Sequence, residues 1–460
     1  MTLGVELGPV DLPCYDLPAE QPSLPVATYQ ARLAAARAAA AAAGLDALLV
    51  YADREHFANL SYLTGYDPRF EESLLILTPG RAPVLLVGNE GEAYAKVVPP
   101  SVEVVLYQSF SLVNQDRSVS PRLPVVLGKA GIGDGLRRVG IAGWKWFSSL
   151  EADEPASWVD APSFIVDALR SLGCVVENAT GLFTAPGSGL RLINDADQLA
   201  CFEFAATHGS ESMRRLLTGV RPGLTELSAF TLYQPIGLPL SYHPVLLSGE
   251  RAALGLASAS GRVLRQGDPM SASLGYWGSN IARGGFLAAS VTDLPVPDYV
   301  ERLVAPYFAC AAEWYETIGI GVTGGELFEV AWRHLSDPFF GVHLNPGHFI
   351  HLDEWPSSPV YAGSAVSLAS GTALQLDIIP ATGTVYHTSN IEDGVALADD
   401  VLRAELAARY PGLWQRVLAR RAFMAEVLGI RLKPEVLPLS NLAGYLPPLW
   451  LSPHLAMRRR

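Results

Sequence analysis

The chain has 460 residues, 49% of them hydrophobic and 17% charged, with a formal net charge of −13. That length predicts two or three domains with their own cores, and the composition excludes a disordered chain. The acidic balance, with no Lys/Arg run beyond Arg458 to Arg460, argues against nucleic acid or an anionic membrane as partner. Cys14, Cys174, Cys201 and Cys310 lie far apart with no C-x-x-C spacing, so zinc knuckles and redox pairs are not expected. The opening MTLGVELGPVDLPCYDLPAE carries acids where a secretory leader needs basic residues, and no window is apolar for the ~20 residues a membrane span needs. A cytoplasmic protein is expected.

In chain order, the alanine-rich stretch 27–43 predicts a helix, stopped by Gly44. DALLVY (46–51), ESLLILT (72–78), APVLLVG (82–88) and VEVVLY (102–107) read as strands. RRVGIAG (137–143) is a further strand, SFIVDALRSLG (163–173) a helix, and CVVENA the next strand. Strands alternating with helices imply an α/β domain over 1–188, ending near the Gly/Pro-rich FTAPGSGLR (183–191). A second domain, α+β and assigned to 189–430, opens with a long helix from Asn194/Asp195 to Val220, and Thr225 caps another. Segments 268–277, 280–290, 372–379 and 391–397 read as strands, and 299–321 and 324–337 as helices. Residues 431–460, rich in Pro and Leu, read as an extended strap.

Three late segments carry chemistry: NPGHFIHLDEWP with His348, GTALQLDIIP with Asp377, and SNIEDGVALAD with Glu392. An unpaired carboxylate inside an apolar strand would cost several kcal/mol, so Asp377 is expected to have a partner. Each residue also has a bland reading: His348 bonded to backbone, Glu392-Asp393 a turn, Arg283 a structural ion pair. The ordered set, together with YADREHFANLSYLTGYDPRFEESLLILTP (51–79), LRLINDADQLACFEFAATHGSESM and VRPGLTELSAF, resembles the creatinase, aminopeptidase P and prolidase superfamily. That resemblance implies a creatinase-like N-terminal domain, a pita-bread C-terminal domain and a homodimer.

Metal-dependent members of that superfamily hold two ions with two aspartates, a histidine and two glutamates. Carried over by motif, those positions fall on Ser273, Asn280, His348, Asp377 and Glu392, so two carboxylates are missing and a two-metal site is not expected. Two further histidines of the family would fall near Leu256 and near Trp355 or Asp353, and are also absent. The resemblance then implies a metal-independent hydrolase of a C–N bond in a small amide, amidine or Xaa-Pro-like substrate. His348, Asp377 and Glu392 would be catalytic, with Arg283, His243, His351, Trp355 and His387 as substrate contacts. No cofactor is expected in that reading. Two others stand beside it: a single divalent ion on His348, Asp377 and Glu392 with Asn280 as a weak ligand, or a binding protein without turnover.

Overall fold

The computed structural model describes residues 4–133 and 135–460, so the first three residues of the acidic opening stretch lie outside the description. Two compact units emerge: Leu24–Leu192, and a larger one made of Met1–Ser23 with Ile193–Arg460. The first 23 residues therefore group with the second unit rather than with the domain assigned to 1–188. The cause is β1 (Val5–Pro9), which pairs antiparallel with a strand at the far end of the chain, Val5 opposite Arg459 and Pro9 opposite Leu455.

The smaller unit is built on β2 (Ala47–Ala52), β3 (Ser73–Leu77), β4 (Val84–Val87), β5 (Glu103–Leu106), β6 (Arg138–Ala142) and β7 (Val175–Asn178), in the order β5-β4-β3-β2-β6-β7. The β2–β6, β6–β7 and β4–β5 pairs are parallel, the others antiparallel. Period-two alternation divides β2 between two cores. Ala47, Leu49 and Tyr51 join one with the helix Ser163–Ser171, and Leu48, Val50 and Ala52 join the other with the helix Val26–Ala42. A sheet covered on both faces needs near-continuous apolar strands, which is why ALLVYA and SLLIL were legible as strands.

The larger unit has a seven-stranded sheet. Its strands are β8 (Val245–Ser248), β9 (Pro269–Tyr276), β10 (Ser279–Phe286), β11 (His348–Phe349), β12 (Ala373–Asp377), β13 (Ile391–Leu397) and β14 (Val436–Pro438). The order is β11-β12-β13-β10-β9-β8, with β14 also on β13 and every pair antiparallel. The helix Ala196–Gly219, capped by Asp195 accepting from the Gln198 amide at 2.8 Å, packs with Ile350, Ala373 and Ala396 of the sheet region. The helices Asp400–Arg409 and Pro411–Glu426, which sequence patterning did not single out, close that core.

The C-terminal strap is mostly irregular, as expected, apart from β14 and the final strand β15 (Leu455–Arg459). It is also deeply buried, with Leu442, Tyr445, Leu446 and Trp450 fully inaccessible. Two buried arginines clamp it. Arg283 of β10 donates to the Tyr445 carbonyl (2.9 Å), the Leu442 carbonyl (2.7 Å) and Asp393 of β13 (2.8 Å). Arg420 donates to Asn441 (2.8 Å) and pairs with Glu203 (2.7 Å). The Arg283–Asp393 pair has no exposed side-chain surface, so removing one partner leaves a buried charge uncompensated. Arg283→Met is expected to lower the urea-unfolding stability by about 3–5 kcal/mol; a loss under about 1 kcal/mol would remove the pair from this role.

Candidate active site

The sheet register brings the candidate residues together. Asp377 lies directly opposite Glu392 across β12 and β13, Glu392 opposite Ala282 of β10, Ala282 opposite Ser273 of β9, and Ser273 opposite Val245 of β8. Directly opposed residues point to the same face, and so do residues two apart on a strand. Asn280 therefore shares the face of Ala282. His348, opposite Gln375, shares the face of Asp377.

On that face, one donor atom each from His348, Asp377 and Glu392 lie within 4.8 Å of one another, all three residues buried. His348 Nε2 stands 3.9 Å from Asp377 Oδ2 and 3.8 Å from Glu392 Oε1. Its Nδ1 is 3.0 Å from the Phe349 carbonyl. A proton on Nδ1 fits that contact and turns the Nε2 lone pair toward the acids. The 3.8–3.9 Å separations exceed a direct hydrogen bond, so the imidazole faces both acids without bonding either. Trp355 stacks on the His348 ring, centroids 4.3 Å apart and planes 21° from parallel.

The electrostatics follow from burial. Loss of water pushes Asp377 well above the usual carboxylate range, and Glu392 beside it pushes further. Burial and the Glu354 charge bring Glu392 up to about 8. Burial likewise raises Glu354. His348 Nε2, Asp377 Oδ1, Glu392 Oε1, both amide atoms of Asn280 and Gln375 Oε1 are buried without a hydrogen-bond partner among the described residues. Gln375 donates its amide to the Asn280 carbonyl, tying β12 to β10 across the site.

The remaining sequence candidates divide. Trp355 lies on the cluster. Arg283 does not: it is one position from Ala282, so the pleat sends it to the opposite face, to Asp393. His351 is buried with its ring edge against Phe202 at 5.4 Å, and its Nδ1 accepts from the Leu352 amide. His387 sits in a left-handed turn (φ 55°), its backbone N–H donating to the Thr384 carbonyl and its ring edge facing Phe286. His243 is exposed before β8. These four stand outside the cluster as substrate contacts. Conversely, Gln375, Glu354 and Tyr242, whose hydroxyl burial and Glu392 hold far toward the neutral form, belong to its surroundings and were not read from sequence. Strand parity singles out Gln375, two positions before Asp377; nothing local singles out the others.

Known proteins with this fold are distant in sequence. Residues 32–172 match the creatinase/prolidase N-terminal domain family. The solved prolidase of Thermococcus sibiricus superposes with a TM-score of 0.63 at 17% identity, covering 82% of this chain and 95% of that one. The Xaa-Pro dipeptidase of Bacillus anthracis gives 0.60 at 16% identity, over 80% and 94%. Residues 32–172 thus belong to that N-terminal domain family, and the chain shares the fold of these solved prolidases and dipeptidases. The uncharacterized peptidase YqhT of Bacillus subtilis is 22% identical over 221 residues. That match spans 46% of this chain and 61% of the relative.

The donor set fits one divalent ion. One imidazole nitrogen and two carboxylates converge with orphaned donor atoms, the number of protein ligands found in open single-ion sites. It does not fit two, since Ser273 and Asn280 stand on the row where further anionic bridges would be needed.

The raised acids have a thermodynamic consequence. The folded state keeps a proton on Glu392 up to about 8, whereas the unfolded chain releases it near 4.5. Ion-free protein is therefore expected to lose stability as pH rises from about 4.5 to 8, because the unfolded state binds fewer protons there. Glu392→Gln removes one such group and should flatten the decline. Urea midpoints in chelator at pH 5, 6.5 and 8 check this; equal slopes in both proteins would contradict the buried, proton-holding Glu392.

Proposed function

We propose that this protein is a hydrolase of a C–N bond in a small amide, amidine or Xaa-Pro-like compound, working by acid–base catalysis without an obligatory metal. The observation that carries it is the convergence of the His348 Nε2 lone pair on two buried acids, neither of which bonds it directly. In this reading His348 accepts a proton from the attacking water. The proton-holding Glu392–Asp377 pair delivers a proton to the departing nitrogen. Two carboxyls this close titrate as a unit, so the acid role belongs to the pair. Trp355 covers His348 and offers an apolar wall to the substrate.

A second reading is favoured by the donor set itself: a single ion held by His348, Asp377 and Glu392. Bound there, it would supply Lewis-acid polarisation of the substrate carbonyl. The prolidase and dipeptidase names of the structural relatives make Xaa-Pro dipeptides the first substrates to try.

Turnover of a panel of Xaa-Pro dipeptides, small amides and amidines, with and without chelator, separates these readings. Activity surviving chelation supports the acid–base route, and activity only with an added divalent ion supports the second. Absence of turnover under both conditions overturns the hydrolase and leaves a binding protein. Where turnover is found, His348→Gln and Glu392→Gln are expected to lower kcat by at least ~10²-fold with unchanged circular dichroism.

A further inference from the structure

The smaller unit contains a second constellation, independent of the His348 cluster. Its sheet reverses between two parallel neighbours, β2 and β6: from β2 the chain moves toward β3, β4 and β5, and from β6 it moves the other way to β7. In an open α/β sheet the loops leaving the carboxyl ends of such a pair diverge and leave a crevice, the usual place for a ligand. A cavity of about 230 Å³ lies there, lined by Tyr51, Asp53, His56, Trp144, Asp160 and Pro162 among others. Tyr51 lies near the end of β2 and Asp53 just beyond it, while Trp144 follows the end of β6.

The walls are pre-organised. Asp160 Oδ2 accepts from the Trp144 amide (3.0 Å) and the Lys145 amide (2.8 Å), which fixes the carboxylate. Asp53 accepts from the Glu55 and His56 amides at 2.9 and 2.8 Å and faces His56 Nδ1 at 3.2 Å. The His56 ring stacks on Trp144 with centroids 4.7 Å apart. Tyr51 donates to Glu72 at 2.7 Å, adding a third carboxyl group behind the aromatic wall. Asp53 and Asp160 line the crevice with Glu72 behind them, against the His56 imidazole and the Lys145 ammonium, which leaves it attractive to positive charge. The chain's own exposed Lys145 already places its ammonium 4.4 Å from the Trp144 ring.

We propose that this crevice binds a small organic cation, an amine or amidine with an apolar body, Asp160 taking the charge and Tyr51, Trp144 and Pro162 the body. An anion of the same shape meets carboxylates instead, and the backbone amides of Trp144 and Lys145 already bond Asp160.

Calorimetric titration of the full chain with benzylamine tests this, with benzoate as the isosteric anion. Saturable one-to-one binding of benzylamine is expected, roughly millimolar or tighter, with no binding of benzoate. Asp160→Asn keeps an acceptor oxygen for the two loop amides but removes the charge, and should weaken benzylamine binding at least tenfold. Ala161→Leu, which fills the same cavity and leaves every charge in place, should weaken it comparably, with circular dichroism confirming the fold. Absence of saturable binding, equal binding of benzoate, or affinity unchanged in both variants overturns the proposal. Affinity lost instead in Trp355→Ala would move the ligand to the other unit and overturn it equally.

Discussion

The cross-strand pairing of Asp377 with Glu392 is the constraint on which the larger unit's chemistry rests. Two acids in apolar strands are placed side by side, then joined by His348 through the pairing of β11 with β12. A slip of one residue between β12 and β13 would send one carboxyl to the opposite face. The opposite face already has its own answer to buried charge: Asp393, next to Glu392, is neutralised by Arg283 and locked to the strap. One sheet thus carries a compensated acid on one side and an uncompensated pair on the other. The compensated side is structural. The uncompensated side is where protons or an ion have reason to reside.

Much of this was legible in the sequence, for physical reasons that also explain the failures. Strands buried on both faces must be continuously apolar, so ALLVYA and SLLIL announced themselves. His348, Asp377 and Glu392 stood out because polar groups inside such runs demand partners. Arg283 was read as a substrate contact although its parity relative to Ala282 places it on the other face; that parity is visible only once the register is known. His351 and His387 lie beyond strand ends, where periodicity stops predicting direction. The β1–β15 pair joins the two ends of the chain, a contact with no local signal. The helices Asp400–Arg409 and Pro411–Glu426 are mostly solvent-facing, with Leu406 the sole buried residue of the first among those described, so their apolar stripe is thin.

The shared fold accounts for the scaffold and leaves the reaction open, because one fold hosts many sites. The chemistry is set locally: Ser273 and Asn280 occupy the β9–β10 side of the row, and Gln375 braces β12 against β10. The β11–β12–β13 side keeps its imidazole and both acids. Neutral groups on one side reduce the attraction for a second dication, and they leave the acids with each other, with Glu354 and with His348 as their electrostatic company.

The number of ions the protein carries tests this account most directly. Elemental analysis of the full chain, purified without added metal and then dialysed against a mixture of divalent ions, should find no more than one tightly held ion per chain. Two ions retained through a desalting column would contradict it, since Ser273 and Asn280 would then be serving a dinuclear centre.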